Sequence, residues 1–90
     1  METINKFLDG NGKIKAIPRK QKNRVIIFEY VTDFISQKGT HFTEQELNNI
    51  IKEIYIDFAT MRRYLIDYQY MERDPYGKDY RVIGCKNNEK

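Results

Sequence analysis

A helical repeat of apolar residues, present twice, constrains the fold of this 90-residue chain more than any other feature. The first repeat has the spacing i, i+3, i+4, i+7 and consists of Ile27, Tyr30, Val31 and Phe34. It predicts a helix over residues 22–37, with Gly39 just beyond it as a left-handed stop. The second repeat has the same spacing and consists of Leu47, Ile50, Ile51 and Ile54. Two amphipathic helices with a short connection are therefore expected to share one core.

Capping residues predict where the second helix begins and where a third one follows. Thr43 and Glu46 have the spacing of a capping box, so the second helix is expected to begin near Glu44. Asp57 is a suitable cap for a third helix. Its apolar positions are Phe58, Met61, Leu65 and Tyr68. A turn of about three residues between these two helices is the spacing of a helix-turn-helix.

The last third of the chain is typical of a hairpin. Residues 70–73 and 80–83 have the composition of two strands, and the loop between them contains Pro75 and Gly77. Residues 40–42, between the first two helices, are a candidate third strand.

The segment ahead of the first long helix has two predicted parts. One apolar helical turn is expected from the spacing of Ile4, Phe7 and Leu8, and residues 9–12 then break it. Residues 13–18 combine basic and apolar side chains and are expected to form an extended arm.

The order of these elements predicts an α+β domain, mainly α with a small β-hairpin, of the winged helix-turn-helix type. We expect a single domain over residues 1–84. Within it, residues 1–21 form the short N-terminal helix and the basic arm, and residues 22–84 form the three-helix core with its hairpin. The polar tail, residues 85–90, is expected to be disordered.

The net charge of +3 is unevenly distributed along the chain. Residues 13–24 carry six cations and no acid, whereas residues 25–59 carry six acids and two lysines. A cationic segment of this density suits a polyanion. The acidic middle argues against a protein that adheres to nucleic acid over its whole surface.

Residue types that support catalysis or metal binding are scarce. Cys85 and His41 are the single cysteine and histidine, so neither a disulfide scaffold nor a cysteine-rich zinc site is available. No HExxH, CxxC, GxSxG or Gly-rich phosphate loop occurs. We therefore expect no enzymatic activity and no cofactor.

No apolar run approaches the roughly 20 residues that span a bilayer, so we expect no membrane partner and a cytoplasmic location.

Several segments resemble a bacterial family called domain of unknown function 2087. The most specific are Lys-Ile-Lys-Ala-Ile-Pro at residues 13–18 and Asp-Phe-Ala-Thr-Met-Arg-Arg-Tyr-Leu at residues 57–65, and the similarity covers about residues 4–83. In that family the domain occurs alone or behind a helix-turn-helix domain in small transcriptional regulators. The resemblance thus implies a regulatory setting. The chain departs from the family pattern at Gln69-Tyr70, where a glycine commonly follows the tyrosine.

The third helix supplies the first set of candidate DNA-binding residues. They are Thr60, Arg62, Arg63 and Tyr64. Arginine is the commonest partner of guanine, and threonine contacts bases or phosphates. The alternative is that Arg62 and Arg63 pair with carboxylates of Glu44, Glu53 or Asp57. Asp57 and Asp67, on the same helix, would also repel phosphates.

The basic segment supplies the second set. It comprises Lys13, Lys15, Arg19, Lys20, Lys22 and Arg24. Such a segment could follow a phosphate backbone or enter a groove. The alternative is a solvated face with no ligand.

Lys78 and Arg81 of the hairpin are candidate wing contacts, although neighbouring acids nearly cancel their charge.

Two functional hypotheses remain open from the sequence. In the first, the chain is a winged-helix DNA-binding or transcription-regulatory domain that contacts double-stranded DNA through the third helix and the basic arm. In the second, the same fold serves dimerisation, ligand sensing or contact with another regulatory protein, without direct DNA binding.

Overall fold

The computed structural model describes residues 6–76 and 78–83. In this part of the chain the helices are α1 (Gln21–Ser36), α2 (Glu44–Lys52) and α3 (Phe58–Asp67). The strands are β1 (His41–Thr43), β2 (Met71–Arg73) and β3 (Asp79–Val82). The fold is α+β, and each long element lies within two residues of its predicted position.

The ends of the helices follow the capping residues identified in the sequence. The Thr43 hydroxyl accepts the Glu46 N–H at 3.1 Å, and the Glu46 carboxylate accepts the Thr43 N–H at 2.9 Å. Asp57 caps α3 through the Thr60 N–H. Gly39, beyond the end of α1, has a φ of 150°, a conformation that favours glycine. The predicted capping box, third-helix cap and glycine stop are confirmed.

The strands form one antiparallel sheet with the order β1-β3-β2. Phe42 of β1 and Arg73 of β2 both lie opposite Tyr80 of β3. The hairpin β2–β3 and the third strand near residues 40–42 are therefore confirmed.

One hydrophobic core joins all of these elements. Its fully buried members include Phe28, Leu47, Ile51, Leu65, Met71 and Tyr80. Phe42 and Ile14 add smaller contributions from β1 and from the segment ahead of α1. The sheet and the helices thus depend on the same buried surface.

The start of the chain differs from the expectation of a short helix. Ile4 lies outside the described residues, but Phe7 lies in a turn and Leu8 pairs with Ile14 in an antiparallel bridge. The helix prediction is wrong for the described part, because the turn at residues 9–12 returns the chain on itself. The predicted tail, residues 85–90, and Cys85 with it lie outside the described residues.

Candidate nucleic-acid interface

The exposed face of α3 is a ridge between two shallow clefts. Met61 and Leu65 are fully buried, so the opposite side of the helix faces solvent. One cleft separates α3 from β2 and is lined by Ala59, Arg62, Arg63, Ile66, Asp67, Arg73 and Tyr80. The other, on the opposite flank, is lined by Thr60, Arg63, Tyr64 and Asp67. Arg63 and Asp67 border both clefts and form the ridge.

Arg62 is largely buried and engaged with neighbouring elements. Its guanidinium lies 3.8 Å from a carboxylate oxygen of Glu44 and donates a hydrogen bond to the Asn48 side chain. It also lies 5.8 Å from the centre of the Tyr80 ring. Only 20% of the Arg62 side chain is exposed. This arginine therefore joins α3 to α2 and to the sheet, as the alternative interpretation expected.

Arg63 has a different environment. It is exposed, and no carboxylate of the described residues lies within ion-pair distance of it. Asp67 borders the same two clefts, one turn further along α3. Arg63 is thus a solvated cation on the ridge, and the acid beside it, Asp67, is exposed as well.

Thr60 is engaged in the cap of its own helix. Its hydroxyl donates to a carboxylate oxygen of Asp57 at 2.8 Å, and its N–H donates to the other oxygen at 3.4 Å. Both the hydroxyl proton of Thr60 and the Asp57 carboxylate are therefore satisfied locally.

Tyr64 and Arg24 contact each other across the two helices that carry them. The Arg24 guanidinium lies 5.2 Å from the centre of the Tyr64 ring. Its Nε–H donates to the Pro18 carbonyl at 2.7 Å. A hydrogen bond with the Tyr68 side chain raises the pKa of Arg24. The contact brings the start of α1 alongside α3, so two sets of candidate residues that are distant in sequence become neighbours.

The α2–α3 turn borders the same region. Burial raises the pKa of Tyr55, and the negative charge of Asp57 and the proximity of Tyr64 act in the same direction. Tyr55 is therefore near enough to both Asp57 and Tyr64 for their charges to influence it.

The basic segment is fixed to the core rather than free. The Ile14 N–H donates to the Ile54 carbonyl at 2.7 Å, and the Lys15 N–H donates to the Phe7 carbonyl at 2.9 Å. The Ile14 side chain is buried. The cations on this segment are all exposed apart from Arg24, and they are Lys13, Lys15, Arg19, Lys20 and Lys22.

The beginning of α1 is unusual among the helices of the described residues. Its N-cap is Lys20, which makes no side-chain capping bond, and its first turn holds no acid. Helix N-termini ordinarily favour acids because the backbone dipoles there are positive. The chain instead places cations at this end.

The two hairpin candidates differ in their surroundings. Arg81 pairs with Glu72, its neighbour across the β2–β3 ladder. Lys78 is exposed, and its N–H donates to Asp74 at 2.7 Å. Arg73 shares the α3–β2 cleft with Arg63, a proximity that only the strand register and helix packing create.

The described residues contain no group of three or more His, Cys, Asp or Glu side chains placed to hold a metal ion. His41 is exposed, with its Nδ1 3.1 Å from the Thr40 hydroxyl. None of the helices in this part of the chain is sufficiently long and apolar to cross a bilayer.

Comparison with known proteins identifies one family. The family model described as an uncharacterized protein conserved in bacteria (DUF2087) matches residues 13–82. No curated protein and no solved structure matches the chain significantly.

Proposed function

The chain belongs to this family of uncharacterized bacterial proteins, and from that premise we propose that it is a winged-helix domain that binds double-stranded DNA in a regulatory setting. The third helix and residues 13–22 form the contact surface. The domain acts by binding rather than by catalysis and uses no cofactor.

The architecture supports this proposal. Winged-helix domains follow a helix-turn-helix with a two-stranded hairpin, and here α2 and α3 are followed by β2 and β3. Strand β1, between α1 and α2, completes the sheet by pairing with β3. In helix-turn-helix proteins the second helix of the pair enters the major groove, and in this chain that helix is α3.

The observation that carries the proposal is that Arg63 is exposed and has no ion-pair partner among the described residues. Arg63 lies on the α3 ridge. The cleft on one side of it is also lined by Arg73, and the cleft on the other side is lined by Tyr64, which contacts Arg24 of the basic segment. A duplex lying along α3 would therefore meet cations on both flanks. Phosphate contacts of this kind supply most of the affinity of DNA-binding domains and fix their orientation.

The contacting residues in this proposal are fewer than the sequence candidates. Arg63 is the candidate for a base edge, since arginine makes the commonest specific contact to guanine. The exposed cations of the basic segment follow the phosphates, and they are Lys13, Lys15, Arg19, Lys20 and Lys22. Arg62, Arg24 and Tyr64 have internal partners and serve the fold. Thr60 and the wing residues Lys78 and Arg81 are secondary contacts.

A fluorescence anisotropy titration tests the proposal with mixed-sequence duplexes at about 50 mM salt. We expect binding whose log K falls with log salt concentration at a slope of about −4.5 if the five exposed cations each neutralise one phosphate. Arg63→Gln is expected to weaken binding to the preferred duplex about tenfold. Lys38→Gln removes the same charge from a residue paired with Glu53 and should leave affinity within about twofold.

Two results would overturn the proposal. One is the absence of binding to any duplex pool at this salt concentration. The other is equal affinity of the wild-type protein and the Arg63→Gln variant for duplexes selected from a random pool.

A second candidate function is a protein contact, favoured by two exposed apolar side chains. Ile56, in the α2–α3 turn, is 87% exposed, and Tyr76, in the hairpin loop, is 82% exposed. Both could be buried in a homodimer or against another regulatory protein. Light scattering at high concentration tests this alternative, because a dimer that Ile56→Ser or Tyr76→Ser dissociates would support it. A strictly monomeric profile would count against self-association.

A further inference from the structure

One side chain, Arg24, connects the basic segment, α1 and α3. Its Nε–H donates a hydrogen bond to the carbonyl of Pro18, in the middle of the segment, at 2.7 Å. The central carbon of its guanidinium lies over the Tyr64 ring of α3, 5.2 Å from the ring centre. The segment is thereby held at Pro18, shortly before α1 begins, while the Ile14–Ile54 hydrogen bond holds it nearer its start.

The ring beneath the guanidinium, Tyr64, packs against two further aromatic rings, and we call these three rings the aromatic platform. The Tyr64 ring is stacked on Phe28, with centroids 5.3 Å apart and an angle of 27° between the rings. Tyr68 packs edge-on against both, at 4.9 Å from Phe28 and 6.2 Å from Tyr64. Since Phe28 is fully buried, this platform is anchored in the core.

The contact requires arginine rather than a cation in general. A guanidinium is planar, stacks on an aromatic face and donates several hydrogen bonds in fixed directions, whereas an ammonium is a strongly hydrated point charge. Arg24 uses both abilities, one toward Tyr64 and one toward Pro18. Lysine at this position would keep the charge and lose the geometry.

We propose that Arg24 is a positioning residue that holds residues 13–22 as a preformed track for the phosphates of one DNA strand. This inference rests on the DNA binding proposed above. A flexible arm must be ordered when it binds, which weakens affinity, whereas a fastened segment presents its cations already in place. In this arrangement Arg24 neutralises no phosphate itself.

The salt dependence of binding distinguishes positioning from direct contact. Arg24→Lys keeps the net charge, so we expect about tenfold weaker binding at an unchanged slope of log K against log salt. Lys22→Gln, the matched control on the same turn of α1, removes a proposed phosphate contact. It is expected to reduce the magnitude of that slope by about 0.9.

Substitutions of Tyr64, the aromatic partner of Arg24, also test whether Arg24 positions the segment. Tyr64→Phe keeps the ring and should bind DNA as the wild type does, whereas Tyr64→Leu should weaken binding as Arg24→Lys does. Backbone order parameters from NMR relaxation of the free protein give a readout independent of DNA. Ile17, Arg19 and Lys20 should be rigid in the wild type, near 0.85, and fall toward about 0.6 in Arg24→Lys, while the amides of α2 and α3 stay unchanged.

Each outcome separates this inference from the proposed function. If the wild-type protein binds no duplex but the order parameters fall as expected, the DNA-binding function fails and the fastening by Arg24 stands. If the wild type binds DNA and Arg24→Lys keeps both its affinity and its order parameters, the positioning role is overturned. A reduced slope in Arg24→Lys would also overturn it, because that result would make residue 24 a phosphate contact.

Discussion

Two adjacent arginines, Arg62 and Arg63, have opposite roles because successive side chains on a helix point about 100° apart. Arg62 points toward α2 and the sheet, where Glu44 and Asn48 satisfy it. Arg63 points to solvent. Residue type alone does not distinguish the two, and the neighbours that do are supplied by other elements.

Thr32 offers a prediction about stability at the same scale. Its hydroxyl is buried on α1 and has no hydrogen-bond partner among the described residues. A buried unsatisfied hydroxyl is unfavourable, and valine has the same shape and a similar helix propensity. Thr32→Val is therefore expected to raise the free energy of unfolding by about 1 kcal/mol, measured by urea denaturation. The control is Thr60→Val, which loses a hydrogen bond to Asp57 and should lower the free energy of unfolding. A lower urea midpoint for Thr32→Val than for the wild type would contradict this account.

Asp67 offers a prediction about binding. Its carboxylate borders both clefts beside Arg63, where it would repel a phosphate backbone. Asp67→Asn should strengthen duplex binding roughly threefold at about 50 mM salt, and the effect should fade at high salt. The control is Glu29→Gln, which removes one negative charge from the exposed face of α1, outside both clefts. Equal gains in the two variants would show that only net charge matters.

At the scale of elements, the helices differ in how they begin. Helices α2 and α3 have acidic or hydroxyl caps that satisfy their first N–H groups, as the sequence spacing predicted. Helix α1 begins at Gln21, and its N-cap residue Lys20 makes no such capping bond. It is stabilised instead by the burial of its apolar stripe, which includes Ile27, Val31 and Ile35.

The turn before the basic segment makes a prediction about pH. The Asp9 carboxylate accepts the N–H groups of Lys13 and Asn11, and these bonds hold the pKa of Asp9 below its usual range. Because the pKa is lower in the folded than in the unfolded chain, the ionised carboxylate stabilises the turn above the ordinary carboxyl range. This contribution disappears as the pH falls through the folded-state pKa. The difference in Tm between the wild type and Asp9→Ala should therefore be largest near neutral pH and shrink below about pH 4. A difference that is constant between pH 7 and pH 3 would refute the assignment.

At the scale of the whole molecule, every element contributes to one core. Phe42, Leu65 and Tyr80 come from a strand, a helix and a second strand, yet they belong to the same buried cluster. A domain of this size buries a smaller fraction of its surface on folding than a large domain does, and its stability is correspondingly low. We therefore expect that no single element is stable without the others. The clefts along α3 exist only while this core holds the helix against the sheet.

Cooperative unfolding follows from the shared core. Leu65→Ala removes a fully buried side chain of α3 and should cost about 2 to 5 kcal/mol. Far-ultraviolet circular dichroism and tyrosine fluorescence should give coincident urea transitions in both the wild type and the variant. Ile56→Ala, at a position 87% exposed, should change stability by less than about 0.5 kcal/mol. Separate transitions for the two probes would contradict a single core.

The prediction from sequence was most successful where local rules apply. The capping box at Thr43, the cap at Asp57 and the apolar repeats of α1 and α2 depend on residues within one or two turns of each other. The start of the chain was predicted wrongly because Leu8 pairs with Ile14 through a reversal that apolar spacing does not reveal. Among the candidate site residues, the sequence identified the cations and offered Glu44 as one possible partner of Arg62 and Arg63. It did not distinguish these two arginines from each other, and it did not indicate the contact of Arg24 with Tyr64.

From residue 21 to residue 83, the sequence by itself determined the order of the described helices and strands and their approximate bounds, and it determined the concentration of positive charge in residues 13–24. These properties arise from backbone hydrogen bonds, side-chain periodicity and charge along the chain, all of which are local. Only the tertiary structure decided that Arg62 is largely buried against Glu44, that Arg63 is exposed and that Arg24 contacts both Pro18 and the Tyr64 ring. The contacts of Arg62 with α2 and of Arg24 with Tyr64 join residues 14 to 40 positions apart. Their geometry is set by the packing of one shared core rather than by the neighbours of each residue in sequence.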